Sequence, residues 1–296
     1  MSLKLRWLQL DVFSGRLCAG NPLAVVVDAA DLDAAQMQRI ARWTNLSETA
    51  FLLPVTDGAA DYRVRIFTPR QELPYAGHPS VGSAYAALDA GIVGAGKSRL
   101  VQQCAAGLLP VQVEGSGPSR IIHVQAPAAR IRARGAADAG RLSAALRAPL
   151  AGDGLHEVDN GPRWLVCDLG QAGAVRALRP DMAALAALCV EWSVVGACVF
   201  GHEHDGSAAM AVRAFCPADG IPEDPVTGSA NAAIAAYLRE SGGLDAYGRH
   251  YRVSQGREID RDGYLEVRVD EGSGSVSVGG ACCIGVRGEL WLDAAP

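Results

Sequence analysis

The stretch Arg65-Ile66-Phe67-Thr68-Pro69 returns as Arg213-Ala214-Phe215-Cys216-Pro217, and the spacing of 148 residues is half of the 296-residue chain. Pro74 and Pro222 share that spacing. Gly77 and Gly228 follow at 151, each opening an Ala-rich run, SVGSAYAAL in one half and SANAAIAAYL in the other. Trp43 and Trp192, and Phe51 and Phe200, recur at 149. A period this long marks a duplicated domain, since solenoid repeats run at roughly 20 to 50 residues. The expected boundary divides the chain into 1–127 and 128–296, and Ala126 to Gly140, rich in Ala, Arg and Gly, is the candidate linker.

Within the first half the punctuation reads as alternating elements. Leu5 to Phe13 alternates loosely, Gly20-Asn21-Pro22 makes a turn, and Leu23 to Val27 is a strand. A helix over Asp33 to Trp43 can be capped by Asp31 or Asp33. Strands follow at Ser47 to Pro54 and Tyr62 to Phe67, then a turn-rich passage, then a small-residue helix from Ser80 to about Leu88. The segment GHEHDGS from Gly201, between two apolar runs, reads as a hairpin loop.

Composition excludes several function classes. With 34 Gly and 15 Pro spread through a chain that is 49% hydrophobic, the protein is globular and turn-rich. A net charge of −5 and no Lys/Arg run argue against nucleic acid. No charge-free apolar stretch reaches the roughly 18 to 20 residues of a membrane span, so no membrane partner and a cytoplasmic location are expected. The 8 cysteines contain no CxxC pair, so buried free thiols are expected rather than a metal site or disulfides. No P-loop or dinucleotide fingerprint is present, and no cofactor is expected.

In a duplicated scaffold, matching positions belong to the architecture and differing positions are candidates for chemistry. Glu48 falls opposite Ala197 at the spacing of 149. His78 follows Gly77, whereas Ser229 follows Gly228, and a three-residue insertion brings in Glu223 and Asp224. Each glycine opens a helix, and a helix start offers free N–H groups to an anion. Glu48 lies where polar NLS turns into apolar TAFLL. Apolar walls would raise its pKa toward that of a proton carrier, although a solvated turn residue or a cap fits the same position. His78 can orient a substrate, share a proton or be structural. Asp224 can pair with it or cap the helix at Gly228. Glu72, between two proline turns, reads as loop architecture. Ser80 is a weak nucleophile candidate, because GHPSVG places His78 where the nucleophile elbow has no such residue.

The set GNPLAVV from Gly20, NLSETAF from Asn45, RIFTPRQELPYAGHPSVG from Arg65, NGPRWLV from Asn160 and EDPVTGSA from Glu223 resembles the PhzF family of phenazine-biosynthesis-like isomerases. The resemblance implies the diaminopimelate epimerase-like fold. That is an α/β (α+β) protein of two pseudo-symmetric domains, each a largely antiparallel, barrel-like sheet wrapped around a central helix. It places the active site between the domains, lets a C-terminal strand near 283–292 return to the first, and makes a homodimer usual.

It further implies a cofactor-independent isomerase acting on a small carboxylate-bearing substrate, similar to trans-2,3-dihydro-3-hydroxyanthranilate isomerase. Glu48 would be the general acid/base. Gly77, through backbone N–H groups, with His78, Asp224 and Ser229, would bind substrate. The two cysteines of related racemases fall at Ala76 and about Thr227, so a two-thiol racemase or epimerase, including one using Cys216, is the lesser alternative. A non-catalytic small-molecule-binding protein of the same fold is the other.

Overall fold

The computed structural model describes residues 3–151 and 154–292. The chain forms two compact units: residues up to Gln125 together with those from Gly279 onward, and Ala126–Val278. The first unit therefore takes in the end of the chain, whereas the sequence boundary assigns 128–296 to the second domain apart from a returning strand.

The first unit runs β1 (Leu3–Val12), β2 (Asn21–Val26), α1 (Ala34–Thr44), β3 (Thr49–Leu53), β4 (Tyr62–Phe67), β5 (Glu72–Leu73), α2 (Gly77–Asp89), β6 (Arg99–Cys104), β7 (Gly107–Glu114) and β8 (Ile121–Gln125). The second runs β9 (Arg130–Ala133), α3 (Ala136–Leu146), β10 (His156–Asp159), β11 (Arg163–Gln171), α4 (Ala172–Ala177), α5 (Met182–Trp192), β12 (Gly196–His202), β13 (Met210–Cys216), β14 (Ile221–Asp224), α6 (Gly228–Ser241), β15 (His250–Gln255) and β16 (Gly263–Val269). β17 (Val276–Leu292) begins at the end of the second unit and continues into the first.

Pairing in the first unit closes on itself. β1 pairs β2, β2 pairs β3 in parallel, β3 pairs β4, and β4 pairs β6 in parallel. From β6 the ladder passes through β7 and β8 to β17, which returns to β1. A ring of eight strands leaves an interior that side chains normally fill. Here α2 takes that place, which explains its run of Gly, Ser and Ala. Every residue from Gly77 to Leu88 is buried, the mark of a helix enclosed on all sides. A Cβ on Gly82 would stand 2.5 Å from Leu23 Cδ2 and 2.9 Å from Val12 Cγ2.

The second unit repeats the order: β10–β11, β11–β12 parallel, β12–β13, β13–β15 parallel, β15–β16. Its helix α6 is buried from Gly228 to Leu238. The second unit has its own core under α3, α4 and α5, including Leu142, Leu146, Val175, Leu185 and Leu188. In the first, α1 packs Met37, Ile40 and Ala41 against Leu5, Val26 and Phe51.

Two sequence expectations need correction. The candidate linker is structured: β9 pairs β10 from Arg130 to Ala133, and α3 begins at Ala136. Its arginines do what a linker's would not, since Arg132 and Arg134 converge on the buried Glu157 at 2.8 Å each. The GHEHDGS segment does close a hairpin, β12 to β13, with Glu203 N donating to Ala209 O. The cysteines are all free thiols, but only five of the eight are buried; Cys18 is exposed and Cys104 and Cys283 are partly so. Burial pushes the Cys189 thiol up to about 11 and raises those of Cys167, Cys198 and Cys282 further, which keeps them protonated and unreactive. No helix among the described residues is long and apolar enough to cross a membrane.

Candidate active site

Glu48 stands between the left-handed Asn45 that ends α1 and the first residue of β3. Asp33 and Gln36 form a capping box at the other end of α1, fixing that helix and the direction of the chain leaving it. Glu48 is partly buried, and its Oε2 lies 3.5 Å from Nε2 of His78. His78, 4% exposed, is the second residue of α2. Burial lowers its pKa to about 3, so the ring is neutral across the physiological range and sets no formal positive charge beside the carboxylate. On its other side Nδ1 lies 3.3 Å from the amide nitrogen of the fully buried Asn21.

Gly77 opens α2, and Ala76 at the N-cap has no side chain with which to cap it. The first N–H groups of that helix are therefore left to other acceptors. At α6 the N-cap is Thr227, yet its hydroxyl does not cap the helix. It donates instead to Asp224 Oδ2 at 2.5 Å. Gln255, at the end of β15, uses its whole amide here. Nε2 donates to Asp224 O and Thr227 Oγ1, while Oε1 accepts from Thr227 N and Asn231 Nδ2. Ser229 is held twice: its Oγ accepts from Trp164 Nε1 at 3.2 Å, and its carbonyl accepts from Asn160 Nδ2 at 2.9 Å.

The first unit thus brings Glu48, Gly77 and His78 together, and the second brings Asp224 and Ser229 to the start of its own central helix. Asn21, Gln255, Asn160 and Trp164 escaped the sequence reading as working residues. An asparagine in Gly-Asn-Pro is what a turn uses in any case, and a glutamine ending a strand reads as solvated.

Strand register also revises which positions correspond. Thr49 pairs Phe67, and Ala197 pairs Phe215, so Thr49 matches Ala197 and the counterpart of Glu48 is Gly196. The left-handed caps Asn45 and Ser193 keep the same spacing. A side chain at Gly196 is excluded, since its Cβ would lie 2.0 Å from Phe215 O. Glu223 is not an insertion. Arg213 grips it through paired bonds of 2.9 and 2.7 Å, as Arg65 grips Glu72 at 2.7 Å twice. The three extra residues lie earlier, in the turn after Pro217. Asp224 then matches Leu73: Leu73 pairs Ile66, and Asp224 pairs Ala214. The unmatched groups are therefore Glu48 against Gly196, His78 against Ser229, and Asp224 against Leu73.

A family model described as phenazine biosynthesis-like protein matches residues 10–288. The chain belongs to this family. Trans-2,3-dihydro-3-hydroxyanthranilate isomerase of Pseudomonas aeruginosa is 34% identical to it, over 97% of this chain and 99% of the relative. Antisense-enhancing sequence 1 of Schizosaccharomyces pombe is also 34% identical, over 96% and 98%. A solved PhzF-family protein from Bacillus anthracis superposes with a TM-score of 0.82 at 25% identity, covering 97% of this chain and 99% of that one. This member of the family is an isomerase with two α/β units of the same design. Among the described residues no group of three or more His, Cys, Asp or Glu side chains is placed to hold a metal ion.

Proposed function

We propose that this isomerase moves a proton between carbons of a small carboxylate-bearing metabolite, similar to trans-2,3-dihydro-3-hydroxyanthranilate, and that Glu48 takes up and returns the proton. One observation carries the reading: a carboxylate without a counterpart in the duplicated half stands 3.5 Å from a buried, neutral imidazole at the start of the central helix. A general acid/base needs to be within reach of the proton it moves. His78 then serves as a hydrogen-bond donor and not as a second base.

In this reading Gly77 lends backbone N–H groups to the substrate carboxylate or a developing oxyanion. Asp224 and Ser229 bind polar groups of the substrate, held for that purpose by Thr227, Trp164 and Asn160. Shared identity of 34% with two relatives of unlike names leaves the substrate to be decided by the site itself.

The test is exchange of a substrate C–H proton with deuterated water, followed by NMR for trans-2,3-dihydro-3-hydroxyanthranilate and other small carboxylates. Glu48→Gln, which keeps shape and hydrogen bonding, should lose on the order of 10² to 10⁴ in rate. Equal rates in both proteins would dismiss Glu48 as the proton carrier. Binding of the same compounds with no exchange in the wild type would favour a non-catalytic role.

A further inference from the structure

Asn21 is 0% exposed and begins β2, at the end of the β1–β2 ladder where it pairs Val12. The loop leading into it is clasped by the buried Asp11, whose Oδ2 accepts from Ala19 N at 3.0 Å and Gly20 N at 3.4 Å. The amide nitrogen is thereby held 3.3 Å from His78 Nδ1. An amide NH₂ can only donate, so a ring nitrogen that meets it must accept, and the single proton of a neutral imidazole must then sit on Nε2. The reverse orientation of the amide fails on the other side of the ring. With Glu48 ionised, a proton on Nδ1 would turn the bare lone pair of Nε2 toward its carboxylate at 3.5 Å, acceptor against acceptor.

We infer that Asn21 is a positioning residue that locks His78 in the Nε2–H tautomer, so that the imidazole presents an N–H, and never a lone pair, to Glu48. A His78 held in this way cannot draw the proton from Glu48 without first losing the bond to Asn21. The proton that Glu48 removes is then kept for return to the substrate. The tautomer follows from Asn21, His78 and Glu48 alone; its effect on turnover rests on the role proposed for Glu48.

Long-range ¹H–¹⁵N correlation of the histidine rings, with His78 assigned through its backbone, reads the tautomer directly in the wild-type protein at pH 7. We expect an Nε2–H ring with an accepting Nδ1; an Nδ1–H pattern overturns the inference, and this arm needs no variant to fold. Asn21→Asp replaces the donor with an acceptor of the same shape and should move a proton onto Nδ1. Proton exchange should then fall on the order of 10²-fold, below the roughly 10⁴-fold known for a wrong tautomer beside a nucleophile, with KM changed far less than kcat. Unchanged His78 signals in Asn21→Asp would also overturn it. A shifted tautomer with wild-type exchange would uphold Asn21 as the locking residue and overturn the bearing of the tautomer on turnover, leaving the role of Glu48 to the Glu48→Gln test.

Discussion

His78 gives the site its most direct signature in pH. Burial lowers its pKa to about 3 in the folded chain against 6.5 when unfolded. Between these values the unfolded chain binds the extra proton, so this residue withdraws stability as pH falls from about 6.5 toward 3, and contributes nothing to the slope above 6.5. At 1.36 kcal/mol per unit, the part of that window between pH 6.5 and pH 4 amounts to roughly 2 to 3 kcal/mol. Urea unfolding of His78→Gln should show a gap between pH 7 and pH 4 that is smaller than the wild-type gap by about this amount. An identical gap would mean that the ring is solvated. The same value predicts that no break in the pH–rate profile between 5 and 8 belongs to His78. Residues of this kind were legible because they break an internal repeat. Asn21 and Gln255 were not, because their types suit a turn and a strand end equally well, and only folding reveals that each spends its amide on a site residue.

At the scale of elements, the repeat itself was readable, but its register was not. The spacing of 149 that matches Trp43 with Trp192 and Glu48 with Ala197 is one residue out, since a helix end tolerates such a slip in sequence while a ladder does not. Pairing of Thr49 with Phe67 and Ala197 with Phe215 fixes the true match of Glu48 with Gly196. The consequence is physical. β12 runs so close to β13 that a Cβ at 196 would meet the Phe215 carbonyl at 2.0 Å, and a backbone atom cannot swing aside. The second unit therefore cannot carry a carboxylate where the first does. Gly196→Ala should lose about 3 kcal/mol or more in unfolding free energy, at the upper end of overpacking costs. Gly58→Ala, which meets nothing within 4 Å, should stay within about 0.5 kcal/mol. Equal effects would show that β12 can move away from β13. The Ala126 to Gly140 stretch failed as a linker for a related reason. β9 is four residues long, and it is a strand because β10 and the Glu157 carboxylate receive it, which no local pattern encodes.

For the molecule as a whole, the return of the chain end is what closes the first unit. β1 meets β2 only from Trp7 to Val12, whereas β17 accompanies it along its full length, pairing Leu3 with Leu292 and Val12 with Cys282. Leu290 and Leu292 also pack against the core of Leu5, Val26, Met37 and Phe51. Without β17 the ring of eight strands would open between β1 and β8, leaving two edges of the kind that promote aggregation, and α2 would lose part of its enclosure. The first unit, although first in sequence, is completed only by residues some 280 positions later, a contact too distant for any local pattern to specify. A chain ending at Val278 tests this, because it keeps every strand of the second unit up to β16. Hydrogen exchange read by mass spectrometry should show protection lost over 3–12, 34–53 and the central helix at 77–89, where Glu48 and His78 lie, while 156–171, 196–216 and 228–241 stay protected. Proton exchange on substrate should vanish with it. Retained protection over 3–12 would mean that β2 and α1 suffice to hold β1, and that the long returning strand is dispensable to the site.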